Sequence, residues 1–114
     1  MKKHIFTDLP VDLKNEQVDE ILQAENIRIE RIVSKGHTSP TTGWYDQEEN
    51  EWVLVLQGAG TILFAEDNQR VTLQQGDFFH IPAHAKHKVV WTDPEEFTFW
   101  LAMYYSVEDL SASE

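Results

Sequence analysis

From Asn26 onward, the chain is a succession of short runs rich in β-branched and aromatic residues, separated by turn residues at nearly regular intervals. The runs cover residues 26–34, 44–47, 51–57, 61–66, 70–73, 78–81, 87–92 and 97–105. Every break between them contains Gly, Pro, Asp or Asn. This spacing is typical of a β-sandwich or barrel, whereas a parallel α/β sheet needs long helices between its strands. We therefore predict an all-β fold, an antiparallel β-barrel or jelly roll.

The segment before Asn26 carries a helical pattern instead. Asn15 is a suitable N-cap, and Val18, Ile21 and Leu22 recur at helical spacing. We predict a short N-terminal helix within an extension over residues 1–25, a β-domain over 26–106 and an acidic tail over 107–114. A chain of 114 residues has room for a single core, so these parts form one domain.

The charge balance and the absence of cysteine exclude several kinds of function. Asp and Glu number 20 against 9 Lys and Arg, so we expect no nucleic acid and no anionic membrane as partner. The chain has no cysteine, which excludes disulfides, thiolate metal sites and cysteine nucleophiles. Lys2 and Lys3 precede no apolar core, and no apolar run approaches the ~20 residues of a membrane span, so we predict a cytoplasmic protein.

Strand parity singles out Glu51 among the acidic residues. Side chains alternate along a strand, which places Glu51 on the face of Val53 and Val55. A carboxylate on such a face costs several kcal/mol unless it is paired, hydrogen-bonded or bound to a metal. The alternative is a glutamate in water at the rim of the fold. The opposite face, with Trp52 and Leu54, would need cover from the N-terminal helix or from a second copy of the chain.

Two sequence patterns give the chain a family resemblance. Residues 51–58 read E-x6-G, and residues 76–87 read Gly-Asp, Ile-Pro and His at the spacing of a second motif. Over residues 39–91 the chain resembles small single-domain cupins of the cupin 2 type, with motifs G-x5-H-x-H-x3,4-E-x6-G and G-x5-P-x-G-x2-H-x3-N. The resemblance implies a cupin-type barrel and, since cupins commonly pair, a homodimer. Tyr45 and Gln47 stand at the first motif's histidines, His84 at a glycine and Trp91 at the asparagine.

The resemblance implies a candidate metal site and leaves a metal-free alternative. Cupins hold a divalent metal with three histidines and a glutamate, of which Glu51 and His87 carry over. Gln47 and either His37 or His84 would complete a site for Fe, Mn, Ni or Zn. The alternative is a metal-free substrate pocket lined by Tyr45, Gln47, Glu51, His87 and Trp91.

Two functions follow from these sites, and both take a small-molecule ligand. The first is a metal-dependent enzyme of dioxygenase or isomerase type. The second is a ligand-binding or sensing cupin without catalysis. The sequence leaves open whether the protein is an enzyme and indicates no nucleotide or organic cofactor. A third alternative is a structural partner domain that acts through the face of Trp52, Leu54 and Leu56.

Overall fold

The computed structural model describes residues 2–9 and 13–107 as two antiparallel β-sheets. The large sheet has the strand order β1-β2-β8-β3-β6 and the small sheet the order β5-β4-β7. A short 3-10 helix (Glu66–Asn68) lies between β4 and β5. The strands are β1 (Gln17–Ala24), β2 (Ile27–Ser34), β3 (Asn50–Gln57), β4 (Ala59–Phe64), β5 (Arg70–Gln74), β6 (Phe78–Ile81), β7 (His87–Thr92) and β8 (Thr98–Tyr105).

The predicted all-β antiparallel fold is confirmed, in the form of a sandwich rather than a closed barrel. Over the described residues the strands pair within two separate sheets, so the ladder does not close on itself. The predicted strand over 44–47 is reduced to one bridge, in which Tyr45 pairs with His87, the first residue of β7. No helix in the described part of the chain is long and apolar enough to cross a membrane.

The predicted N-terminal helix is wrong, because Gln17–Ala24 form strand β1. This strand pairs with β2 from Gln17 opposite Val33 to Ala24 opposite Ile27, across a two-residue turn. The apolar stripe was too short to hold an isolated helix together, and the edge of β2 offers a full ladder of backbone hydrogen bonds. β1 thus belongs to the large sheet, together with β2, β3, β6 and β8. Apart from Val107, the predicted tail over 107–114 lies outside the described residues.

The core fills the space between the sheets and borders a cavity. Its buried members come from β3, β4, β5, β6 and β8: Val53, Val55, Ile62, Phe64, Leu73, Ile81 and Trp100. Trp100 packs directly over Gly60 of β4, where the Cβ of any other residue would overlap the indole ring. Four core residues also line the cavity, so the wall of the site and the core are continuous.

The outer face of the large sheet is covered at one end by the N-terminal segment. Arg31 donates hydrogen bonds to the carbonyl oxygens of Ile5 and Thr7, and the ring of Phe6 meets Phe99 edge-on with centroids 5.0 Å apart. Elsewhere on this face Trp52 contacts Phe78, which is 64% exposed. The homodimer stays a prediction. This open apolar area is the surface through which the two copies would pair.

Candidate functional site

A cavity of about 370 Å³ lies between the two sheets, beside the core. Its apolar wall consists of side chains from both sheets: Ile32, Val53, Ile62, Ile81, Val89 and Trp100. Its polar lining comes from the strands and from the segments before β1 and β3: Asn15, Glu16, Glu30, His37, Tyr45, Gln47, Glu51, His87 and Tyr104. A concave apolar wall with a few convergent polar groups is the usual form of a small-molecule site.

Glu51 and His87 form a buried pair in this lining. Glu51 is 7% exposed and His87 5% exposed, and Glu51 Oε1 lies 3.6 Å from His87 Nε2. The same oxygen accepts a hydrogen bond of 3.1 Å from the amide Nε2 of Gln47. Strand parity thus placed Glu51 correctly on the face of Val53 and Val55, and the rim alternative does not apply to this buried carboxylate. The structure brings three of the predicted site residues together.

The orientation of the His87 ring is fixed by the backbone. Its Nδ1 lies 2.8 Å from the carbonyl oxygen of Ala85, and because a carbonyl only accepts, Nδ1 carries a proton. Nε2 therefore faces Glu51 as a lone pair or as a second donor. Burial lowers the pKa of His87 most, but the hydrogen bonds to Glu51 and Ala85 and the charge of Glu51 together raise it above the usual 6.5.

Tyr45 and Gln47 reach the site from an irregular segment held against β7. The backbone N–H of Tyr45 donates to the carbonyl of His87 at 2.8 Å, and the N–H of His84 donates to the carbonyl of Gln47 at 2.8 Å. The Tyr45 ring lies 5.7 Å from the His87 ring, while nearly half of its side-chain surface stays exposed. Tyr45 therefore stands at the mouth of the cavity and Gln47 deeper inside.

Trp91, the fifth residue predicted for the pocket, does not line the cavity. Regular alternation would put it on the face of His87 and Val89. The register of β7 against β4 shifts between Ile62–Val89 and Thr61–Trp91, so Val90 is an extra residue. Such a bulge reverses the faces beyond it. Trp91 is accordingly 42% exposed, and Thr92 is buried in its place.

The two additional histidines make other contacts. His37 lines the cavity, but its Nδ1 accepts from the backbone N–H of Lys35 at 2.9 Å and its Nε2 lies 3.1 Å from the carbonyl of Lys14. His84 is exposed outside the cavity and contacts Asp46 at 2.8 Å. Its φ of 64° is a left-handed conformation that favours glycine, which fits its place at a motif glycine.

The polar residues of the lining that sequence reasoning missed include Glu16, Glu30 and Tyr104. Tyr104 lies opposite Glu51 in the β3–β8 pairing, and its ring supports the guanidinium of Arg28 at 4.3 Å. Burial, with the charges of Glu51 and Glu30, raises the pKa of Tyr104 well above its usual range. The final run of the chain is apolar on both faces, so no sequence signal distinguished Tyr104.

The donors around Glu51 do not make a complete set for a divalent metal. A separation of 3.6 Å would let one ion bond to both Oε1 of Glu51 and Nε2 of His87, at an angle of about 120° for bonds of about 2.1 Å. Protein-bound zinc, however, usually takes three or four protein ligands. No group of three His, Cys, Asp or Glu side chains in the described ranges is placed to hold an ion. Gln47 turns its amide nitrogen, not its oxygen, towards Glu51.

Comparison with known proteins identifies the family. The family model of the cupin domain matches residues 31–104. A Ralstonia eutropha protein described as a "putative mannose-6-phosphate isomerase" shares 37% sequence identity, covering 94% of this chain and 99% of its own, with a TM-score of 0.88.

More distant solved structures share the fold alone. A cupin superfamily protein of Desulfitobacterium hafniense is 18% identical, with coverage of 87% and 84% and a TM-score of 0.70. An RmlC-like cupin of Methanocaldococcus jannaschii is 17% identical, with coverage of 86% of both chains and a TM-score of 0.66. No curated protein matches the sequence. The match of the family model and the similarity to the Ralstonia protein confirm the resemblance first read from the two motifs. The chain therefore belongs to the cupin superfamily.

Proposed function

We propose that this cupin binds a small polar organic molecule in the cavity between its sheets, through Glu51, Gln47 and His87. The observation that carries the proposal is the state of the Glu51 carboxylate. The residue is only 7% exposed, and its one hydrogen bond from a described residue, donated by Gln47, falls on Oε1, which also faces His87 Nε2 at 3.6 Å; Oε2 has no partner among the described residues. No buried side-chain oxygen among the described residues lacks a partner, so Oε2 is accessible from the cavity, where it can accept a hydrogen bond from a donor group of a bound molecule.

The size and lining of the cavity support the same proposal. Its volume of about 370 Å³ lies within the roughly 300–1,000 Å³ of small-molecule sites. The apolar side chains of Val53 and Trp100 form part of the wall and would contact the carbon skeleton of a ligand. The three polar side chains would fix its orientation. No reaction step is needed for this role, and an isomerase or dioxygenase activity stays a prediction from the family.

Binding is tested by protein-observed NMR with a library of small molecules in the presence of EDTA. We expect bound compounds to shift the signals of Glu51 and His87. The Glu51→Gln variant should bind these compounds at least about tenfold more weakly, because one hydrogen bond to a charged group is lost. Glu66→Gln is the matched control, because it removes the same charge from an exposed position outside this cavity. A Glu51→Gln variant that folds and binds as tightly as the wild type would contradict the proposal.

A divalent metal between Glu51 and His87 is the second candidate, favoured by their separation of 3.6 Å. Elemental analysis after purification without chelators tests it directly. Near-stoichiometric metal that disappears in His87→Gln would support the metal site. Less than about 0.2 metal per chain, together with no thermal shift on adding Mn²⁺, Fe²⁺, Ni²⁺ or Zn²⁺, would refute it. The predicted cytoplasmic location is independent of both candidates and stays a prediction.

A further inference from the structure

We propose that the cavity selects a small organic cation, a molecule with an ammonium group, and rejects phosphorylated molecules. This inference rests on the proposed function, because it assigns a chemical class to the ligand of the same site. The inferred ligand class differs from the substrate in the description of the Ralstonia eutropha protein, because mannose 6-phosphate carries a phosphate group.

The charges of the lining are the first argument. Among the described residues, the side chains around the cavity include three glutamates and neither lysine nor arginine. A phosphate dianion is normally bound by arginine, lysine or a helix N-terminus. The described part of the chain has only a three-residue 3-10 helix, and that helix does not line this cavity. Here a phosphate would approach Glu16, Glu30 and Glu51 with no lysine or arginine in the lining to offset the repulsion, and the ring of His87, which could carry a positive charge, already faces Glu51.

The hydrogen bonds of the three carboxylates are the second argument. Glu16 accepts from Ser34 through Oε2, Glu30 accepts from Arg28 through Oε2, and Glu51 accepts from Gln47 through Oε1. In each case the other oxygen has no hydrogen-bond partner within the described ranges. Glu16 is exposed, and the open oxygens of Glu30 and Glu51 are accessible, since no buried side-chain oxygen of the described residues lacks a partner. An ammonium group carries three donors, so it is matched to a site with several open carboxylate oxygens.

The nearest cation does not change this conclusion. Arg28 lies beside the cavity, but its Nε contacts Glu30 at 3.1 Å and its Nη1 contacts Glu49 at 3.2 Å. Its guanidinium also stacks 4.3 Å above the ring of Tyr104, a residue of the cavity lining. Arg28 is therefore already neutralised by two carboxylates. Arg28 is thus itself a cation held beside the cavity by carboxylates and by an aromatic face.

The test compares compounds that differ in charge and share a skeleton. The library contains equal numbers of primary ammonium compounds, their hydroxyl counterparts and their phosphate esters, and protein-observed NMR with EDTA reports binding at Glu51, His87 and Tyr104. We expect ammonium compounds to bind at least about tenfold more tightly than their hydroxyl counterparts, and the difference to shrink as NaCl is raised. Phosphate esters should cause no shift in the cavity.

Failure of the inference and failure of the proposed function are distinguishable. If phosphate esters or hydroxyl counterparts bind as tightly as ammonium compounds, the inference is overturned while the proposed function stands. If no compound of any class binds, the proposed function itself fails. The variant Glu30→Gln should weaken ammonium binding about tenfold and leave the hydroxyl counterparts unchanged. Glu16→Gln repeats the test if Glu30→Gln does not fold, and Glu66→Gln should change neither class.

Discussion

Replacing Gly60 by alanine would push a methyl group into the wall shared by the core and the cavity. A Cβ at this position overlaps Cζ2 and Cη2 of the Trp100 indole. Neither side can easily move away. Gly60 lies in β4, the central strand of the small sheet, and Trp100 is 4% exposed in β8 between β2 and β3 of the large sheet. The clash therefore has to be relieved by separating the sheets or by distorting the Trp100 rotamer.

The expected cost of Gly60→Ala lies at the upper end of overpacking, about 3 kcal/mol in the free energy of unfolding. Apart from the clash, alanine should make a strand position about 0.5–1 kcal/mol more stable than glycine does. Any loss of stability therefore reports the clash. For a domain of this size, about 3 kcal/mol corresponds to a fall in Tm of roughly 12 °C. Urea unfolding followed by circular dichroism measures the free energy, and a thermal scan measures Tm.

Trp100→Phe provides the matched control, because phenylalanine lacks the two indole carbons that overlap. On its own it should destabilise the protein by leaving a void. Combined with Gly60→Ala, it should recover at least about 1 kcal/mol relative to the sum of the single changes. If Gly60→Ala lies within about 0.5 kcal/mol of the wild type, or if the two effects simply add, the packing of Trp100 over Gly60 is refuted.

Two further predictions concern the buried pair and the open sheet face. The folded-state pKa of His87 is raised, so its contribution to stability is fully present below the unfolded pKa of about 6.5 and disappears as pH rises through the folded value. Urea unfolding across pH 5–9 should therefore show that the free energy of unfolding falls less with rising pH in His87→Gln than in the wild type. An unchanged pH profile in the variant would contradict the pairing with Glu51. Trp52→Arg should convert the predicted homodimer to a monomer in analytical ultracentrifugation, while Arg70→Glu, an exposed change on the small sheet, should not. If the wild-type protein is monomeric at high concentration, the predicted homodimer is refuted.

The strands and the position of Glu51 could be predicted because they depend on local alternation. Buried strands with turn residues between them leave a clear pattern, and Glu51 follows the parity of Val53 and Val55. Trp91 was misplaced because a single extra residue at Val90 reverses the faces, and no composition signal marks such a bulge. β1 was misread because its structure depends on a partner strand rather than on its own residues.

Tertiary geometry also decided the polar lining of the cavity. His37 and His84 had suitable chemistry, but backbone groups hold the first and Asp46 holds the second. Glu30 and Tyr104 reach the site only because β2 and β8 lie side by side in the large sheet, which alternation within one strand does not reveal. Sequence motifs therefore located the Glu51–His87 pair, while the character of the remaining lining needed the assembled sheets.

The most direct test of the account is a crystal structure of protein purified without chelators and soaked with an ammonium compound that bound in the NMR screen, with anomalous data to detect metals. The account predicts organic density in the cavity, in contact with Glu51 Oε2, and no anomalous peak between Glu51 and His87. An anomalous peak at about 2.0–2.2 Å from both Glu51 and His87, or the compound bound elsewhere on the protein, would contradict it.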